Sequence, residues 1–99
     1  MDGLDIRFER AESIVGRMIE GNIFLLDDHG RRLHTLSRIG TFVWGLLEDG
    51  STLKEIIRKV AYKFGLSEEV ADANTREFLD ELAAKGAVRV FNTSRRGLR

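Results

Sequence analysis

The spacing of apolar residues changes once along this chain, at Ser37, and that change limits the folds open to it. Before Ser37 the apolar side chains come in stretches of strand length. Ile14–Glu20 alternates loosely, and Ile23–Leu26 is a continuous apolar run. Gly21-Asn22 between them can supply the positive φ of a tight hairpin, and Asp27-Asp28-His29-Gly30 is a turn cluster leading into a third strand, Arg32–Leu36. After Ser37, which is placed to cap a helix, Ile39, Phe42, Val43, Leu46 and Leu47 recur at helical spacing until Asp49-Gly50. Thr52 with Glu55 forms a capping box for a second helix with the stripe Leu53, Ile56, Ile57, Val60, Ala61 and Phe64, ended by Gly65. Ser67 caps a third helix, whose first turn carries Glu68 and Glu69 where acids favour the macrodipole, and Gly86 closes it. Ala87–Phe91 has the length of a final strand. The predicted architecture is α+β and winged-helix-like: a three-stranded N-terminal antiparallel sheet, three helices, and a short C-terminal strand.

A chain of 99 residues has room for one hydrophobic core. The expected division is a flexible N-terminal segment over 1–13, the folded domain over 14–91, and a frayed basic tail over 92–99 that contains Arg95, Arg96 and Arg99. Cysteine is absent, which excludes a disulfide scaffold, a thiolate metal site and thiol catalysis. No apolar run reaches the roughly 18 residues of a membrane span. The first 13 residues carry four acids against two arginines, unlike a signal peptide, so the expectation is a cytoplasmic protein with no membrane partner.

Groups poised for catalysis are scarce. His29 lies in a turn and His34 in a strand, neither with a partner at metal-ligand spacing, and the Asp27-Asp28-His29 run is explained by the turn it makes. Gly40 and Gly45 fall inside an apolar helix with no phosphate-loop sequence after them, so they read as sites of close packing. The chain is therefore expected to be no enzyme and to use no cofactor and no metal.

Charge is balanced overall and segregated locally. Residues 67–85 hold six acids (Glu68, Glu69, Asp72, Glu77, Asp80, Glu81) against Arg76 and Lys85, a net of −4, after a basic second helix. Winged-helix domains commonly read duplex DNA, which makes a DNA-binding regulator the alternative function. A recognition helix of net −4 would repel the phosphates it must neutralise, so nucleic acid is the weaker expectation.

Binding of another chain remains. Ile23–Leu26 places apolar side chains on both faces of its sheet, a pattern explained equally by a partner site or by cover from helices on both sides or a second copy in a homodimer. The third strand, Arg32, Leu33, His34, Thr35 and Leu36, is a candidate open edge without a proline to blunt it. On the third helix the core stripe runs through Ala71, Thr75, Phe78 and Leu82, and one shoulder beside it holds Asp72, Arg76, Leu79 and Ala83. A peptide between that edge and that shoulder could add a strand, although an ordinary half-exposed helix flank gives the same pattern.

With this order of elements, several residues carry a family resemblance: Leu36-Ser37, Gly40, Val43-Trp44, Leu46-Leu47, Gly50, Thr52-Leu53, Glu55-Ile56-Ile57, Arg76-Glu77-Phe78-Leu79, Leu82 and Gly86-Ala87-Val88. The chain resembles, from about Ile14 to Val90, the family of pyrroloquinoline-quinone biosynthesis protein D, the PqqD-like recognition domains of ribosomally made, modified peptides. It departs from the family pattern at Asn74-Thr75, where an acid-plus-valine pair is usual. The resemblance implies a non-catalytic winged-helix adaptor that holds the leader segment of a precursor peptide as an added strand between strand 3 and helix 3. It also implies a modifying enzyme acting in trans, of the radical-SAM kind. Carried over by position, the cleft would be Arg32 to Leu36 on one side and Asp72, Arg76, Leu79 and Ala83 on the other.

Overall fold

The computed structural model describes residues 6–92. Strands β1 (Ile6–Arg10), β2 (Val15–Ile19), β3 (Asn22–Leu26) and β4 (Arg32–Leu36) lead into helix α1 (Arg38–Leu46). The two-residue strand β5 (Ser51–Thr52), helices α2 (Leu53–Phe64) and α3 (Glu68–Ala84), and strand β6 (Val88–Asn92) complete the order. The α+β class, the three-stranded antiparallel meander β2-β3-β4, the three helices and the last strand stand as expected. Helix starts follow their caps. Ser37 Oγ accepts from Gly40 N at 3.0 Å, the Thr52–Glu55 box closes in both directions, and Ser67 Oγ accepts from Val70 N at 3.2 Å. Gly65 ends α2 in the left-handed conformation at φ 65°. The β2-β3 hairpin turns on Glu20-Gly21, both at positive φ, one residue earlier than Gly21-Asn22, because Asn22 is already paired with Ile19.

The expected flexible segment 1–13 is corrected over the residues described. β1 lies within it, pairs antiparallel with β6 from Ile6↔Asn92 to Arg10↔Val88, and pairs with β5 on its other side, forming a second sheet of order β5-β1-β6. Phe8 is buried in the common core. Arg10 fastens the strand to α1. Its Nε and Nη2 donate to the Trp44 carbonyl at 2.9 and 2.7 Å, and its guanidinium lies 4.6 Å from the centre of the Trp44 ring. A cation at the last carbonyls of a helix meets orphan acceptors and the negative end of the dipole. The signal was present as the alternation of Ile6 and Phe8 with Arg7 and Glu9, but the partner strand lies at the opposite end of the chain. The predicted tail loses Asn92 to β6, and 93–99 lie outside the described residues.

The core joins both sheets to the helices through Leu25, Val43, Leu47, Ile56, Val60 and Leu82, all without solvent exposure. Leu25 and Ile23 face it. Phe24 and Leu26 point to the other face of the meander, where the Arg32 guanidinium sits 4.3 Å from the centre of the Phe24 ring and shields it. Of the two glycines expected to allow close packing, Gly40 does so, since a Cβ there would stand 3.0 Å from Phe78 Cε1. Gly45 faces open space. Thr75 is fully buried on α3, and its Oγ1 has no hydrogen-bond partner among the described residues. No helix among the described residues is long and apolar enough to cross a membrane.

Two stability predictions follow from these contacts. Phe8→Ala should lower unfolding free energy by about 3–5 kcal/mol, the usual loss for a core phenylalanine, and a loss near zero in urea melts would remove β1 from the cooperative unit. Thr75→Val keeps the shape and deletes an unpaired buried hydroxyl, so its urea midpoint should rise, with a gain of about 1 kcal/mol at unchanged slope. A falling midpoint would mean that the hydroxyl has a partner.

Candidate functional site

Strand β4 hydrogen-bonds only to β3 among the described residues, so its outer edge presents backbone donors and acceptors with no strand beside them. The edge of β2 is likewise unpaired. What distinguishes β4 is the wall alongside it: a cleft of about 260 Å³ separates it from α3, lined by His34 and Thr35 of the strand, Ser37, Ile39 and Gly40 at the start of α1, and Asn74, Glu77, Phe78 and Glu81 of α3. His34 lies near Phe78, Glu81 and Lys85, and Gly40 of α1 also meets Phe78.

The floor is set by packing. His34 meets Phe78 edge to face with ring centroids 5.7 Å apart, and Phe78 presses on Gly40, where no side chain intervenes. Lys85 Nζ lies 2.9 Å from His34 Nδ1, and Glu81 Oε1 lies 3.9 Å from Nε2. An ammonium only donates, so Nδ1 is the acceptor and the imidazole is neutral with its proton on Nε2, facing Glu81. Burial, helped by the Lys85 charge and opposed by Glu81, holds the His34 pKa below its ordinary value of 6.5.

The residues expected to form the site are only partly brought together. His34 and Thr35 line the cleft. Leu36 is buried in the core, Leu33 packs partly against it, and Arg32 turns to the outer face over Phe24. The helical shoulder faces elsewhere. Leu79 is buried, Ala83 is exposed, and Asp72 pairs with Arg76 while lining a separate groove between α2 and α3 with Lys54, Ile57, Arg58, Glu68 and Glu69. The reason is rotational. At about 100° per residue, Asn74, Glu77, Phe78, Glu81 and Lys85 centre on one flank of the buried stripe, and Asp72, Arg76, Leu79 and Ala83 centre roughly 170° away on the other. The pattern shows a stripe with two flanks and does not say which one meets β4.

The Asp27-Asp28-His29 ligand atoms lie within 4.8 Å of one another, a spacing a cation could use. The turn already engages Asp27, whose Oδ1 accepts from the His29 and Arg31 backbone N–H groups at 2.8 Å while Arg31 Nε donates to Oδ2 at 2.8 Å. These bonds, the Arg31 N–H first, hold the Asp27 carboxyl below its ordinary 3.8 against the opposing effect of desolvation.

Protonating His34 costs more in the folded chain than in the unfolded one, so the unfolded state takes up protons first as pH falls. The His34 contribution to stability is therefore full above pH 6.5 and is lost as pH drops from 6.5 through the folded-state value, separate from the loss linked to Asp27 below 3.8. Urea melts across this range should show stability falling with pH in the parent chain, with the near-neutral limb flattened in His34→Gln. An identical slope in both proteins would contradict the neutral, buried assignment.

The chain matches the family model described as coenzyme PQQ synthesis protein D (PqqD) over residues 22–88, which spans β3 through the first residue of β6. It is similar in structure to TbiB1, solved in complex with the TbiA(beta) leader peptide, with a TM-score of 0.69, 24% sequence identity, 82% of this chain covered and 94% of that chain. No curated protein matches the chain in sequence.

Proposed function

The chain belongs to the PqqD family, and from that premise we propose that it is a non-catalytic adaptor that binds the leader segment of a precursor peptide as an added strand on β4, in the cleft facing α3. It then presents the bound peptide to a modifying enzyme acting in trans, of the radical-SAM class. One observation carries the reading: among the described residues the unpaired edge of β4 runs beside a helical wall, with a cleft between them. Support also comes from TbiB1, which has this fold and was solved with a leader peptide.

The energetics say what such a site needs. About four added ladder bonds at roughly 0.5–1.5 kcal/mol each supply a few kcal/mol, whereas micromolar affinity requires about −8 kcal/mol. Backbone pairing sets register, and the side chains of the cleft must supply the rest. His34, Ile39 and Phe78 offer apolar surface, and Asn74, Glu77 and Glu81 offer polar contacts. The acidic groups on this flank of α3 also oppose the alternative of duplex binding, since phosphate contacts need the opposite sign.

Titration of the isotope-labelled chain with the leader segment of its precursor peptide should move the amides of 32–36 together with those of Asn74, Glu77, Phe78 and Glu81. The amides of Asp72 and Arg76 on the opposite flank should move less. Unchanged spectra at high micromolar peptide, or shifts confined to the groove between α2 and α3, would overturn the placement.

A further inference from the structure

The polar contacts in the cleft are of one sign on the helical side. Glu77 and Glu81 are both exposed, both line the cleft, and stand one helical turn apart. Among the described residues Glu77 has no ion-pair partner, and the only partner of Glu81 is the neutral His34 at 3.9 Å. Lys85, the nearest cation along this flank, directs its ammonium to His34 Nδ1. Two carboxylates four residues apart on a helix repel each other, and a guest bearing cations would remove that repulsion.

The spacing matters as much as the sign. Four residues of helix advance about 6 Å, and two residues of strand advance about 6.6 Å, so in an added strand laid along α3 the side chains at alternate positions keep step with Glu77 and Glu81. The side chains that reach α3 are those on the face of the sheet that His34 shares with Leu25, its partner in register. Successive guest residues on that face are two apart. Resting on the peptide-binding reading above, we propose that the cleft selects peptides with lysine or arginine at two alternate positions, i and i+2, whose cations lie against Glu77 and Glu81. These two glutamates set specificity, and the strand edge supplies the affinity common to all guests.

The test is selection from a display library of random strand-length peptides, run in parallel on the parent chain and on the charge-reversed Glu77→Lys/Glu81→Lys variant. Peptides kept for analysis are those that shift the amides of 32–36 in the parent chain or the variant that selected them. The parent should enrich Lys or Arg at i and i+2, the variant should enrich Asp or Glu there, and Glu77→Gln/Glu81→Gln should bind a parent-selected peptide about tenfold more weakly than the parent does. Strand-edge binders without that pair, or with the same pair selected by both proteins, would overturn the charge rule and leave the peptide-binding reading standing. A library from which no peptide shifts the β4 amides in either protein would overturn both. Circular dichroism and urea melts of the two variants establish that each is folded, because both substitutions lie on the exposed flank.

Discussion

The edge-to-face packing of His34 on Phe78 is the contact on which the cleft depends. It holds the base of β4 against α3 and so fixes how far apart the two walls stand, without any backbone pairing between them. Gly40 lets Phe78 approach α1 closely, because a Cβ there would stand only 3.0 Å from Phe78 Cε1. Three elements thus meet at one aromatic ring, and the strand edge beyond it stays open. An imidazole is suited to this position because its ring packs like an apolar group while its two nitrogens address Lys85 and Glu81 at the mouth. The same burial that makes the packing tight keeps the imidazole neutral, so protonation acts on stability and on the cleft through one residue.

An open edge is ordinarily a liability, since it invites pairing with any extended chain. Here the helix alongside limits what can approach. In the proposed role a guest strand enters between β4 and α3, where the helical wall carries Asn74, Glu77 and Glu81. Arg32 adds a second restraint on the far face, covering Phe24 and reducing the apolar area offered there. These features make general aggregation less favourable while leaving room for a guest with matching side chains, the combination of attraction and exclusion that specificity requires.

Much of the fold is legible in local chemistry. The caps at Ser37, Thr52 and Ser67 and the stop at Gly65 are set by residues within three or four positions, and each stands where its side chain placed it. The meander follows from short apolar runs separated by turns. β1 was hidden for a different reason: its alternation of Ile6, Phe8 and the intervening charges is visible, but its value depends on pairing with β6, which no short window contains. The site shows the same division. The strand side was readable because an edge follows from strand order, and His34 and Thr35 stand in the cleft. The helix side required the rotation of α3 about its axis relative to β4, and each flank of its stripe combines charged residues with one large apolar side chain, Phe78 on one and Leu79 on the other. Periodicity identifies the buried stripe but does not rank the flank of Asp72, Arg76, Leu79 and Ala83 against that of Asn74, Glu77 and Glu81.

Stability and recognition draw on different groups in this fold. Arg10, with its two bonds to the Trp44 carbonyl, ties the sheet β5-β1-β6 to the end of α1, whereas the cleft is built at the beginning of α1, where Ser37 caps the helix. The two sets share no side chain, so changes in one should add to changes in the other without coupling, as independent sites do. His34 and Phe78 join the two, since both line the cleft and His34 packs on Phe78, itself a core residue. Substituting either would change stability and the cleft together, whereas Glu77 and Glu81 are exposed on the same wall and outside the core. Charged groups thus stand on the rim of the cleft and packed ones on its floor, an arrangement that, in the proposed role, lets guest preference change without rebuilding the core.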